Sequence, residues 1–248
     1  TFESCAKRYI ESHRSGWKSA KHADQWTSTL QAYAGPIIGK MDVALIETAH
    51  IMRVLDPVWH TKAETASRLR GRVEAILDWA TVHRYRTGDN PARWKGHLEA
   101  LLPARSKVSK AKHFAALPWR DMKPFMAELR KQNGIGALAL QFTILTSARS
   151  GEVRGMEWYE VDFEQRLWTV PGERMKAGRE HRVPLSNAAV ELLEQLKAVK
   201  LADTDIVFPS VRDHKPLSDM TLTAVRRRMQ RGDIPVHGFR SSFRDWAA

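Results

Sequence analysis

Residues 167–185, Leu-Trp-Thr-Val-Pro-Gly-Glu-Arg-Met-Lys-Ala-Gly-Arg-Glu-His-Arg-Val-Pro-Leu, break a sequence that is otherwise helical in period. Leu167-Trp168-Thr169-Val170 and His181-Arg182-Val183-Pro184-Leu185 are short runs rich in β-branched and aromatic residues. They flank Lys176-Ala177-Gly178-Arg179, and the Ala-Gly step reads as the turn between two antiparallel strands. On the N-terminal side the spacing predicts helices near Trp119 to Lys131 and from Ala137 to Thr146, the second strongly apolar. On the C-terminal side helices are expected at Ala188 to Val199, at Thr221 to Gln230 and from His237 onward. One small antiparallel sheet among helices is an α+β pattern.

Upstream the character differs. To about Tyr85 apolar residues recur at three-and-four spacing with almost no strand-like alternation. Phe2, Ala6, Tyr9 and Ile10 mark a first helix, and Trp26, Leu30 and Tyr33 a second. Val43 to Leu55 makes a third, and Ala66, Leu69, Val73, Ile76, Leu77 and Ala80 a fourth. Gly35-Pro36 and Asp56-Pro57 read as breaks between them. The run from Arg105 to Lys112, with Arg105, Lys107, Lys110 and Lys112 and no large apolar residue but Val108, reads as an exposed basic linker. The chain therefore divides into an all-α bundle over 1–104, a linker to about 112, and an α+β domain over 113–248, mostly helical overall.

Charge narrows the partner. The 248 residues carry 40 Lys and Arg against 28 Asp and Glu, a net +12. Such a surplus favours a polyanion through counterion release. Cys5 is the only cysteine, which excludes an internal disulfide framework and any multi-cysteine zinc site. No run approaches the roughly 20 apolar residues of a membrane span, and no signal peptide opens the chain, so the cytoplasm is the expected location. Gly134-Ile135-Gly136 lacks the third glycine of a dinucleotide loop, and neither a Walker loop nor a zinc-protease spacing occurs. No cofactor or metal is implied.

Four cationic or titratable residues stand at element edges: Arg149 in Thr-Ser-Ala-Arg-Ser-Gly-Glu-Val (146–153), Lys176 in Arg-Met-Lys (174–176), and His237 with Arg240 in His-Gly-Phe-Arg. Arg149 directly follows the apolar helix, so packing can hold its base while the guanidinium fork projects toward two phosphate oxygens. His237 and Arg240 share a helix face, with Phe239, Phe243 and Trp246 expected to anchor the other side in the core. Taken singly each has an ordinary alternative: Arg149 as an ion-pair partner of Glu152, Lys176 as a solvated charge, His237 as a helix cap.

In order and together, these blocks, with His-Arg-Val-Pro-Leu-Ser (181–186) and Phe-Arg-Asp-Trp-Ala-Ala (243–248), are similar to the catalytic sequence of tyrosine recombinases of the phage-integrase family. The details resemble P4-type prophage and genomic-island integrases. The resemblance covers about Lys110 to the end, and the helical part before it looks like that family's core-binding (SAM-like) domain. It implies that Arg149 and Arg240 clamp the scissile phosphate, that His237 is the first histidine of the signature, that Glu152 supports the first arginine, and that Lys176 protonates the 5′-oxygen leaving group. Metal-independent DNA integration or excision through a 3′-phosphotyrosine is the implied reaction, with the two domains closing on opposite faces of duplex DNA. Arg105, Lys107, Lys110, Lys112 and Arg179 are candidate DNA contacts.

The resemblance also implies a homotetramer on two attachment sites from a chain that is a monomer alone, accessory DNA-bending proteins and an excisionase, and a bacterial, nucleoid-associated location. Both ends look cut, so the chain reads as a fragment. The family's nucleophilic Tyr follows the His-x-x-Arg block, and Tyr9, Tyr33, Tyr85 and Tyr159 all precede it. Tyr159, in Trp158-Tyr159, reads as packing beside a strand at Val161. A fragment that binds DNA without cleaving it is the expectation. The alternatives are a DNA-binding remnant or regulator, and an RNA-binding protein that reads A-form shape.

Overall fold

A computed structural model describes residues 1–17, 20–108, 115–175 and 177–248, with the side chain of residue 20 outside the description. The chain forms two compact units, Thr1–Lys112 and His113–Ala248.

In the first unit α1 (Phe2–His13) is capped by Thr1, whose side chain accepts the Ser4 N–H, and it buries Phe2, Cys5 and Ala6. α2 (Ala20–Thr29) runs through a π-helical turn, Leu30–Ala34, into α3 (Gly35–Ile38). Gly35-Pro36 is therefore no break. Pro36 falls in the first turn of α3, where a missing N–H forfeits little and the fixed φ suits the helix. α4 (Thr48–Trp59) starts later than expected, because Val43–Leu45 is a 3-10 turn whose leading Asp42 carboxylate accepts the Ala44 N–H at 2.9 Å. Asp56-Pro57 lies inside α4 and does not end it. The buried face of Ile51, Val54, Leu55, Val58 and Trp59 spans the proline, so packing outweighs the lost backbone bond. α5 (Ala63–Val82) buries the six residues its periodicity marks, from Ala66 to Ala80.

The basic run is not wholly a linker. Arg105–Val108 forms a helical turn, α6, and Val108 packs half-buried against the core of the first unit. Nearby, the Trp59 indole donates to the Pro103 carbonyl at 3.0 Å and stacks on Trp94, which ties this segment back to α4.

In the second unit a 3-10 turn (Trp119–Asp121) leads into α7 (Met122–Arg130), followed by α8 (Ile135–Thr146) and α9 (Ser150–Arg154). The sheet is antiparallel in the order β1 (Val161–Asp162), β2 (Leu167–Val170), β3 (His181–Pro184), with Trp168 opposite Val183 and Val170 opposite His181. α10 (Asn187–Ala198), α11 (Thr221–Arg228) and α12 (Gly238–Ala247) complete it. α8 is apolar on nearly all sides because it is the central element: its Phe142 is fully buried and meets the rings of Trp168 and Phe208 at 5.5 and 5.6 Å.

The β2–β3 connection opens with a 3-10 turn at Gly172–Arg174 and turns at the expected Ala-Gly step, where Gly178 has a φ of +70° that a glycine adopts without strain. Two local expectations fail in this unit. Phe243 and Trp246 do not anchor α12; they are 48% and 62% exposed and pack on each other. The anchors are Phe239, against the Phe125 ring, and Ser242, whose hydroxyl donates to the Leu117 carbonyl at 2.5 Å. Tyr159 is 72% exposed, and the neighbour that packs on the core is Trp158. Among the described residues no helix is long and apolar enough to cross a membrane.

Candidate active site

α8 ends at Ser147, which adopts a left-handed conformation (φ +52°) and turns the chain sharply. Two residues later Arg149 stands at the N-terminal edge of α9. Glu152, in the first turn, reaches back: one carboxylate oxygen accepts the Arg149 backbone N–H at 2.9 Å and the other accepts from its guanidinium at 2.6 Å. The Glu152 side chain is 7% exposed and that of Arg149 49%, so a buried carboxylate pins the base of a guanidinium that faces solvent. The ordinary alternative for Arg149, an ion pair with Glu152, is thus present. It leaves the far side of the fork open to an anion.

α12 supplies the opposite wall. His237 occupies the N-cap position but makes no side-chain capping bond to the helix, and Arg240 lies one turn on. The Arg240 guanidinium donates to the Ser147 carbonyl, which the left-handed turn exposes, and so binds the start of α12 to the end of α8. Gly238 lets the start of α12 lie against the backbone at Ala115: a Cβ there would come within 2.3 Å of the Ala115 carbonyl oxygen.

Arg149, Glu152, His237 and Arg240 line one open cleft of about 530 Å³, together with Arg174 and Val236. Arg149, Arg240 and His237 bring two guanidinium groups and an imidazole to it, with the Glu152 carboxylate turned toward Arg149. Such an arrangement binds an anion with several oxygens and stabilises charge that gathers on them during reaction.

Arg174 is the residue sequence reasoning missed. Its guanidinium donates to the Glu160 carboxylate and to the Glu152 carbonyl. These partners lie 14 and 22 residues away in sequence, so no local pattern marks it. Lys176 falls outside the described residues, as do Lys110 and Lys112. Arg179 is exposed in the β2–β3 connection. In the first unit Lys107 is exposed, while Arg105 pairs with Glu64. Among the described residues no group of three or more His, Cys, Asp or Glu is set to hold a metal ion.

Comparison with known proteins identifies the family. Residues 2–97 match the phage integrase central domain and residues 117–246 the phage integrase family. The chain is 32% identical to the integrase of Enterobacteria phage P4, over 98% of this chain and 57% of that protein. It is 30% identical to the prophage integrase IntZ of Escherichia coli K12, over 98% of this chain and 58% of that one. It spans somewhat over half the length of these relatives.

A lambda integrase dimer bound to a COC′ core site shares the fold, with a TM-score of 0.72 at 18% identity over 96% of this chain and 86% of that one. The Tn1549 transposon integrase in complex with circular-intermediate DNA does so too, with a TM-score of 0.72 at 12% identity over 98% and 85%. The chain belongs to the phage integrase family, the tyrosine recombinases, and resembles its P4-type members.

Proposed function

We propose that the protein is a site-specific DNA recombinase that integrates or excises mobile DNA. The observation that carries this reading is the convergence of Arg149, His237 and Arg240 on one cleft, with the first arginine pinned by the buried carboxylate of Glu152. In this reading the first unit is the core-binding domain and the second the catalytic domain.

The two arginines grip the non-bridging oxygens of the scissile phosphate, and His237 adds a hydrogen bond there. A tyrosine oxygen attacks phosphorus, the bond to the 5′-oxygen breaks, and Lys176 delivers a proton to that oxygen, leaving a 3′-phosphotyrosine and a free 5′-hydroxyl. Fixed cations aimed at developing charge lower the barrier, and a positioned acid is typically worth roughly 10² to 10⁴ in rate. The chemistry is metal-independent. The nucleophile is none of the four tyrosines here: Tyr9, Tyr33 and Tyr85 belong to the first unit, and Tyr159 is not among the cleft residues.

Duplex DNA is the partner, held largely through its phosphates by basic side chains that include Lys107, Lys110, Lys112 and Arg179. Arg105 must first leave Glu64, a loss of about 0–1 kcal/mol for so exposed a pair. Four protomers assemble on two attachment sites from monomers, with DNA-bending proteins and an excisionase as accessories, at the bacterial nucleoid in the cytoplasm.

The test is covalent capture by the full-length protein on a nicked attachment-site duplex. Arg149→Ala and Arg240→Ala should each abolish capture while DNA affinity stays within a few-fold, because many phosphate contacts share the binding. Equal loss of binding and capture would refute the assignment. Capture by neither wild type nor variants, with binding intact, would make the protein a DNA-binding regulator.

A further inference from the structure

α9 carries Arg149 and Glu152 yet has only five residues, too few to be stable alone, since the first helical turn fixes several dihedrals for one bond. Its last carbonyls have no donor within the helix. The Glu152 carbonyl takes its donor from Arg174 Nη2, while Arg174 Nη1 donates to one oxygen of Glu160. The other Glu160 oxygen accepts the Trp168 indole N–H at 2.8 Å, and the Glu160 side chain is wholly enclosed. The same guanidinium lies along the backbone at Gly155, where an added Cβ would sit 3.4 Å from it. One planar cation thus joins the C-terminal end of α9 to β2 through Glu160, using two nitrogens at a fixed spread that an ammonium cannot reproduce.

We propose that Arg174 is a positioning residue of the cleft: it holds α9, and through Glu152 the guanidinium of Arg149, in the orientation that grips phosphate. It carries no bond-making step. The inference rests on the recombinase reading for its effect on rate, but not for the tether itself, so two measurements keep the failures apart.

The first is amide hydrogen exchange at Val153, Gly155 and Met156 in the wild-type chain and in Arg174→Lys, which keeps the charge beside Glu160 but cannot span both acceptors. Exchange at these amides should quicken by at least tenfold in the variant, while amides in α8 are unchanged. The second is the rate of covalent capture by the full-length protein at saturating DNA, well below the melting temperature.

Arg174→Lys should lower that rate by on the order of tenfold or more, because small misplacements of a positioned group are costly in rate. DNA affinity should stay within about twofold, a division that a merely structural role would not produce. Glu160→Gln, which retains an acceptor for Trp168, should give a smaller loss in the same direction, and it serves if Arg174→Lys fails to fold. Wild-type capture by both variants, or unchanged exchange in α9, would overturn the proposal. If the wild-type protein itself captures no DNA, the recombinase reading falls and the exchange experiment alone decides whether Arg174 holds α9.

Discussion

Replacing Glu152 separates the structural from the electrostatic part of the cleft. Glu152→Ala removes the acceptor of the Arg149 backbone N–H and the partner of its guanidinium. A backbone donor left without a partner in this part-buried site costs about 1–3 kcal/mol. The guanidinium is 49% exposed and rehydrates, so its lost ion pair adds only about 0–1 kcal/mol. The expected loss is therefore about 1–4 kcal/mol. Glu152→Gln keeps one carbonyl oxygen for one of the two bonds, and its loss should be about half as large. Urea unfolding followed by tryptophan fluorescence, read on the transition of the second unit, measures both. A loss below about 0.5 kcal/mol for Glu152→Ala would show that the Arg149 N–H finds another partner. A Glu152→Gln variant no more stable than Glu152→Ala would mean that charge, not the backbone bond, dominates.

Further outcomes follow from the same structure. Phe142→Ala, at the meeting point of Trp168 and Phe208, should cost about 3–5 kcal/mol in the same unfolding experiment, and a loss under about 1.5 kcal/mol would show a core able to collapse onto the void. Burial pushes the Cys5 thiol up from its ordinary pKa, so a disulfide reagent at neutral pH should label it only as the first unit unfolds; labelling at the free-thiol rate in the native protein would contradict its burial. The hydrogen bond from His214, at 2.5 Å, holds the Asp203 carboxyl below the usual carboxylate range. A depressed folded-state pKa contributes stability that is present above the ordinary value of about 3.9 and lost as pH falls through the folded value. Carbon-13 titration should therefore find Asp203 below about 3.9 in the wild type and near it in His214→Ala; equal values in both would remove His214 as the cause.

Where periodicity and burial coincide, sequence and structure agree residue for residue: α5 buries Ala66 through Ala80 as spaced, and α8 is apolar because it lies at the centre. The departures share a cause. Pro57 sits within α4 because the apolar face that crosses it is buried, which no local rule about proline can anticipate, whereas Pro36 takes the first turn of α3, where proline is tolerated. Phe243 and Trp246 have the right spacing to anchor α12, but the surface they would need is not beneath them, and Phe239 and Ser242 do the anchoring. Arg105 carries the charge of a DNA contact and is engaged with Glu64.

By itself the sequence determined that this is a basic, two-part chain, helical and then α+β, and its three ordered motif blocks carry the resemblance to the phage integrase family. Those features are local or compositional: periodicity, turn residues and net charge survive without any knowledge of distant neighbours. Only the tertiary structure decided that Arg149, His237 and Arg240 line one cleft, that a left-handed turn at Ser147 offers its carbonyl to Arg240, and that Arg174 closes the circuit through Glu160 and Glu152. A hydrogen bond needs its partners about 3 Å apart, and for residues far apart in sequence that proximity is created by the packing of the core.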